Sequence, residues 1–239
     1  MSGWHLLLDP QGRRGVENMA IDQALLEEAG RSGRAILRLY RWDPPCLSFG
    51  RNEPALARYD RAAIVRLGLD VVRRPTGGRA VWHEHEDTYA VVAPIAEFGS
   101  LRESYRWIHE RLATALRTLG VEATLASDHL TARPSDRPGP CFSSTVGGEI
   151  LAAGRKVIGS AQLRQGTAFL QHGSILLDGS QNLVRAVSHQ PSAVRGETTL
   201  SAVLGRPVTF GEVAAAIVAT WDGPLAPSDG PTVRPSDDE

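Results

Sequence analysis

The stretch EILAAGRKVIGSAQLRQGTAFLQHGSILL, residues 149–177, decides how the chain is read. It holds three runs rich in apolar and β-branched residues, Glu149–Ala153, Lys156–Leu163 and Ala168–Leu177, separated only by short glycine-bearing turns. Runs of this length between turn residues predict strands. No crossover helix fits between them, so consecutive strands must pair antiparallel.

Working upstream, strands and helices alternate less regularly. Trp4–Leu8, Ala35–Tyr40, Cys46–Gly50, Leu69–Arg73, Ala80–His83, Thr88–Ala93 and Val121–Leu125 have the composition of strands, and Phe142–Thr145 is a further short one. Helices are predicted over 16–29, from Pro54 to Leu67 and from Ser100 to Leu119, the last with Ser100 as N-cap and Gly120 as stop. Downstream, shorter helices are predicted over 181–187, 200–204 and 210–221. Mixed order ending in an antiparallel run predicts an α+β fold, a mixed, largely antiparallel sheet flanked by helices, and not a regular βαβ repeat. Residues 1–223 make one domain. Residues 224–239, mostly Pro, Ser, Gly and Asp, are expected to be a disordered tail.

The chain has 239 residues, 42% hydrophobic and 22% charged, with a formal net charge of −1. That is ample length for a core, with no overall field to draw nucleic acid or an anionic membrane. Two cysteines without a CxxC spacing make no disulfide framework. The first residues carry no signal-peptide pattern, and no apolar run approaches the ~20 residues of a spanning helix. A cytoplasmic protein is expected.

Of the 26 basic residues 25 are arginine, so Lys156 is the single lysine. An ammonium is a compact point charge that fits where a guanidinium fork does not. Fifteen residues upstream stands Cys141, after a Pro- and Gly-rich loop. A cation near a thiol favours the reactive thiolate. Cys46, by contrast, lies in an apolar strand, where a thiol acts as a small hydrophobe.

Three more stretches could carry chemistry. In Arg73-Arg74-Pro75-Thr76-Gly77-Gly78-Arg79-Ala80-Val81-Trp82-His83 paired glycines allow a close backbone approach, and arginines can hold a carboxylate or phosphate; no Walker loop is present. His83-Glu84-His85-Glu86-Asp87 lacks the spacing of a metal-binding helix and is expected to be a solvated acidic turn, so no metal site is assigned. His172-Gly173 interrupts an apolar strand, as a turn or a close approach to ligand.

Together these motifs resemble the lipoate–protein ligase and octanoyltransferase family: the glycine loop over 73–83, the lysine strand Gly154–Gln162 and the following Gln171–Leu176, with the early pair Arg41-Trp42 and Ser48–Arg51. The similarity runs from Trp4 to Trp221. It implies a fold like the biotin/lipoate protein ligase catalytic domain. Octanoyltransferases of the cysteine type carry a cysteine before the lysine strand, which implies Cys141 as nucleophile and Lys156 as the cation that lowers its pKa and holds the acyl carbonyl. Arg74, Thr76, Gly77, Gly78, Arg79, Ala80 and His83 would line the acyl pocket with Gly159, Ser160, Ala161, His172 and Gly173.

The reaction implied moves octanoyl from acyl carrier protein to a lysine of a lipoyl domain, in 2-oxoacid dehydrogenase E2 subunits or the glycine cleavage H protein. No cofactor is needed. The alternatives are an ATP-dependent lipoate–protein ligase using ATP and Mg, with Arg74 and Arg79 on the adenylate, an amidotransferase between lipoyl domains, and a non-catalytic acyl-binding module. The shortness of the chain argues against an accessory ligase domain. No residue can be named from the sequence as base for the acceptor amine.

Overall fold

A computed structural model of the chain describes residues 3–127, 142, 147–191 and 196–231. In chain order the strands are Trp4–Arg13 (β1), Ala35–Trp42 (β2), Cys46–Phe49 (β3), Asp70–Arg73 (β4), Val81–His83 (β5), Glu86–Pro94 (β6), Ala123–Leu125 (β7), Ile150–Ala152 (β8), Arg155–Lys156 (β9), Ile158–Gln165 (β10), Ala168–Leu176 (β11) and Leu225–Pro227 (β12). The helices are Gly15–Ser32 (α1), Ala55–Arg58 (α2), Arg61–Arg66 (α3), Leu101–Thr118 (α4), Leu200–Leu204 (α5) and Phe210–Thr220 (α6).

Period-two alternation builds the layers. Along β2, Ile36 and Tyr40 pack with Ile21, Leu25 and Leu26 of α1. Leu37 and Leu39 pack on the opposite face with Ile108, Leu112 and Leu116 of α4 and Val213 and Ile217 of α6. Strands β6 and β11 alternate the same way, Ala90, Val92 and Leu170 toward α1 and Val91 and Phe169 toward α4. The result is a six-stranded sheet, in order β10-β11-β6-β2-β1-β12, between one helix and two. Its β10, β11, β6 and β2 pair antiparallel, and β1 is parallel to both β2 and β12. The expected mixed, largely antiparallel sheet flanked by helices is therefore present.

Two small sheets attach, β4-β3-β5 and β7-β8-β9. The strand expected over 156–163 changes sheet at Val157. Arg155–Lys156 pairs with β8, and from Ile158 onward the chain pairs with β11.

Some expectations need correction. Glu86 and Asp87 are not a solvated turn: both are buried within β6, and only Glu84 and His85 reach solvent. The helix expected from Pro54 to Leu67 is two, divided at Tyr59-Asp60, where the Asp60 carboxylate accepts the N–H groups of Ala62 and Ala63 and starts α3 afresh. Residues 181–187 form a 3₁₀ helix. The tail is ordered at its start: Leu225–Pro227 pairs with Trp4–Leu6, and the Ser228 N–H donates to the Leu6 carbonyl. The strand expected over 142–145 falls outside the described residues except for Phe142.

Candidate active site

Between α1, the central sheet and the β3–β5 sheet lies a pocket whose accessible wall is almost wholly apolar. Met19 of α1, Tyr40 and Trp42 of β2 and Val81 of β5 supply one side. Gly159, Ser160 and Ala161 of β10 with Gly173 and Ser174 of β11 supply another, and Arg74, His83 and His172 complete it. Many of these are polar residues. The wall is apolar because their polar atoms are turned into one another, as buried polar groups require.

The glycine loop is held by Arg74. Its guanidinium is buried and donates to the carbonyls of Ser48, Gly77 and Arg79 and to Ser48 Oγ. Gly78 has φ +99° and lies against Gly50, where a Cβ would stand 2.0 Å from the Gly78 carbonyl oxygen. Both positions therefore demand glycine. Gly77 is exposed with open space around it, and Ala80 packs with Leu47, Phe49 and Trp82 below the loop. Gly77, Gly78, Arg79 and Ala80 shape the loop and do not line the pocket.

Two histidines face the pocket, each between a carboxylate and a hydroxyl. His172 Nδ1 lies 3.0 Å from Asp22 Oδ2 and its Nε2 lies 2.7 Å from Thr76 Oγ1. Asp22 is itself buried, paired with Arg38 at 2.7 Å and bonded by the Tyr40 hydroxyl. Burial alone would raise this carboxyl, yet the bonds from His172 and the Arg38 charge leave it below the usual carboxylate range. His83 Nδ1 lies 2.8 Å from Glu86 Oε1 and its Nε2 lies 2.7 Å from Ser48 Oγ; the ring stacks on Trp42 at 4.0 Å between centroids.

On the α4 side of the sheet is a third buried histidine. His109 Nδ1 donates to the Gly148 carbonyl, so its Nε2 accepts from the Ser160 hydroxyl, which in turn accepts from Tyr89. Burial lowers His109 to about 4, the Gly148 bond opposing and the Lys156 charge assisting. It is a neutral ring at pH 7 that fixes Ser160 from beneath.

Gly173 allows β10 and β11 to come together under the pocket. A Cβ there would stand 2.6 Å from the Gly159 carbonyl oxygen and from Ser160 Oγ. The His172-Gly173 interruption is thus a close approach within a continuous strand. Gly159 plays the same part against the ring of Phe142, which would lie 2.7 Å from an added Cβ.

Lys156 is buried at the end of β9 and does not line the pocket. Its Nζ donates to Glu149 Oε1 at 2.5 Å and stands 5.1 Å from the centre of the Phe142 ring. Cys141 lies outside the described residues. Cys46 is fully buried, with its sulfur 2.7 Å from where a Gly15 Cβ would stand, and burial pushes its thiol far up. It is the small hydrophobe expected.

Of the site residues read from sequence, Arg74, His83, Gly159, Ser160, Ala161, His172 and Gly173 come together at one pocket, and Thr76 joins through His172. The sequence reading missed Met19, Tyr40, Trp42 and Ser48 in its walls, and Asp22, Glu86 and His109 behind them. A signal existed for Asp22 and Arg38, charged residues on the apolar faces of α1 and β2.

The pocket is sunk between the central sheet and the small β3–β5 sheet, with an apolar wall. Comparison with known proteins gives the class. The lipoyl protein ligase A/B catalytic domain family matches residues 14–222. Octanoyltransferase LipM of Carboxydothermus hydrogenoformans is 44% identical over 181 residues, 74% of this chain and 66% of that protein. Octanoyltransferase LipM of Symbiobacterium thermophilum is 39% identical over 233 residues, 91% of this chain and 85% of that protein. A crystal structure of lipoate-protein ligase A bound with ATP shares the fold, with a TM-score of 0.76 at 24% identity over 92% of this chain and 84% of that one. The chain belongs to the lipoyl protein ligase A/B catalytic domain family, and it is an enzyme of the octanoyltransferase kind. Among the described residues no helix is long and apolar enough to cross a membrane.

Proposed function

We propose that the protein moves octanoyl from acyl carrier protein to a lysine of a lipoyl domain through a thioester on Cys141, without ATP. The observation that carries this reading is the kinship with octanoyltransferases at 39–44% identity over most of the chain. The apolar pocket agrees with it, since a saturated eight-carbon chain offers nothing to hydrogen-bond. The use of a thiol, and its assignment to Cys141, come from the resemblance to octanoyltransferases of the cysteine type, and the burial of Cys46 agrees with that choice.

The thiolate adds to the octanoyl carbonyl and expels the carrier thiol; the acceptor amine then adds to the new thioester and expels Cys141. Thioester to thioester to amide runs downhill, so no nucleotide is needed. Lys156 supplies a fixed positive charge beside Phe142, the residue after Cys141.

The test is to incubate the protein with octanoyl-acyl carrier protein and a lipoyl domain, from a 2-oxoacid dehydrogenase E2 subunit or the glycine cleavage H protein, with and without ATP and Mg, and to read the mass of the domain. The expected result is octanoylation that ATP does not stimulate. Modification only with free lipoate plus ATP would replace this reading by a ligase.

A further inference from the structure

We propose that the face built by α2, α3 and the arginines beside them docks an acidic face of the octanoyl-carrying acyl carrier protein. The proposal rests on the transfer reading above and names the surface that receives its donor.

Charge on this segment is one-sided. Residues 51–79 hold seven of the 26 basic residues and three of the 27 acidic ones, in a chain of formal net charge −1. The three acids are already engaged. Glu53 is buried and accepts the Tyr59 hydroxyl at 2.7 Å, Asp60 accepts the N–H groups that start α3, and Asp70 accepts the Gly15 N–H at 2.7 Å. Their ion pairs go to Arg58 and Arg14. Arg51, Arg61 and Arg66 are exposed and stand in no ion pair among the described residues. Arg73 Nη1 donates to the carbonyls of Gly50, Arg51 and Glu53, which hold the guanidinium without cancelling its charge. Exposed arginines on other helices are neutralised, Arg34 by Glu28, Arg106 by Glu110 and Arg206 by Glu212.

The face also carries apolar surface. Helix α3 turns Ala63 and Ile64 into the core and Arg61, Ala62, Val65 and Arg66 outward, so an apolar pair lies between two arginines. Val65 is 71% exposed and Leu56 of α2 is 87% exposed, the highest values among the large hydrophobics described. Apolar contacts with arginine and without lysine are the composition of a protein–protein interface.

Position selects the donor. Ala63 and Ile64 pack on Leu47 and Phe49 of β3, and the opposite side of that strand presents Ser48 to the pocket. The face thus lies outside the sheet that roofs the pocket, with a helix about 10 Å thick between. It reaches the pocket rim through Arg51, whose N–H donates to the Thr76 carbonyl at 2.8 Å, while the Thr76 hydroxyl meets His172 in the wall. A lysine side chain is too short to cross such a layer. A carrier brings its acyl group on a long flexible arm, and its acids would meet the unpaired guanidinium groups.

The experiment compares wild type, Arg61→Glu/Arg66→Glu and Leu56→Ser in loading from octanoyl-acyl carrier protein and from octanoyl-pantetheine, across salt concentration. Octanoyl-pantetheine has the same thioester and no carrier protein. The second-order rate of loading from the carrier should fall by about 10-fold or more in the charge-reversed variant, and the decline of the wild-type rate with salt should flatten. Leu56→Ser should slow the same donor and keep its salt dependence. Loading from octanoyl-pantetheine and the melting midpoint should match wild type in both variants. Equal losses from the two donors, or a carrier rate and salt dependence equal to wild type, would overturn the docking assignment alone. So would a loss confined to transfer from the loaded enzyme to a lipoyl domain, which would give the face to the acceptor. A wild-type dimer that Arg61→Glu/Arg66→Glu splits would give it to a second copy and overturn the assignment too. Failure of wild type to load octanoyl from either donor would overturn the thioester reading and this proposal with it.

Discussion

Replacing Lys156 by methionine separates what the lone lysine does for the fold from what it does for the chemistry. Its Nζ meets Glu149 Oε1 at 2.5 Å, and the two side chains are only 2% and 4% exposed. Removing one member of a buried ion pair costs about 3–5 kcal/mol. Against a typical total of about 5–15 kcal/mol, that is a large share of the stability. At about 2–4 °C per kcal/mol for a chain of this size, the melting midpoint should fall by about 6–20 °C. Glu149→Gln should fall by a comparable amount, and the Lys156→Met/Glu149→Gln double variant should recover much of the loss, since both charges are then gone. Urea denaturation of the four proteins closes the cycle. A Lys156→Met protein within about 1 kcal/mol of wild type, the value of an exposed pair, would refute the reasoning. So would a double variant no more stable than either single one.

Three further outcomes are expected. Lys156→Arg keeps the charge but sets a planar fork between Glu149 and the Phe142 ring; single-turnover octanoyl transfer should fall by about 100-fold, the cost of a small misplacement at a reacting centre, and a rate equal to wild type would count against a role at the acyl carbonyl. Gly173→Ala drives a Cβ to 2.6 Å from the Gly159 carbonyl oxygen, so loading with octanoyl should be lost along with about 1–3 kcal/mol of stability, read by intact mass and by urea melts. Burial pushes the Asp87 carboxyl up to about 8, so its native form is the neutral acid. The unfolded chain gives up that proton above its ordinary value near 3.9, so the stabilising contribution is present in acid and is lost as pH rises toward 8. Asp87→Asn should therefore gain on wild type with rising pH, by up to about 1.4 kcal/mol per unit between pH 5 and 8, and parallel stability curves would contradict the assignment.

The antiparallel run over 149–177 was legible as apolar runs between short glycine-bearing turns, and β2 as a strand by its alternation; β2 and β11 are buried on both faces, between α1 on one side and α4 on the other. Glu86 and Asp87 were misread because charge in a hairpin predicts solvent. Here the strand continues under the pocket, where the histidine carboxylate has to sit. Lys156 was visible as an oddity of composition, but its partner Glu149 lies across the β8–β9 turn and gave no pattern of its own. His109 hid inside an ordinary amphipathic helix, since nothing local marks a histidine whose acceptor is a serine on a distant strand. Leu225–Pro227 was assigned to the tail because three residues hold no period; their parallel partner is at the opposite end of the chain.

The central claim, octanoyl carried on one thiol and passed to a lysine without nucleotide, is met most directly by intact-mass analysis after incubation with octanoyl-acyl carrier protein alone. Wild type and Cys46→Ala should each gain one octanoyl group that hydroxylamine removes, and a lipoyl domain added next should take it up as hydroxylamine leaves the product intact. Cys141→Ser should give no hydroxylamine-labile adduct. A Cys141→Ser protein that still octanoylates the domain at the wild-type rate would contradict the account.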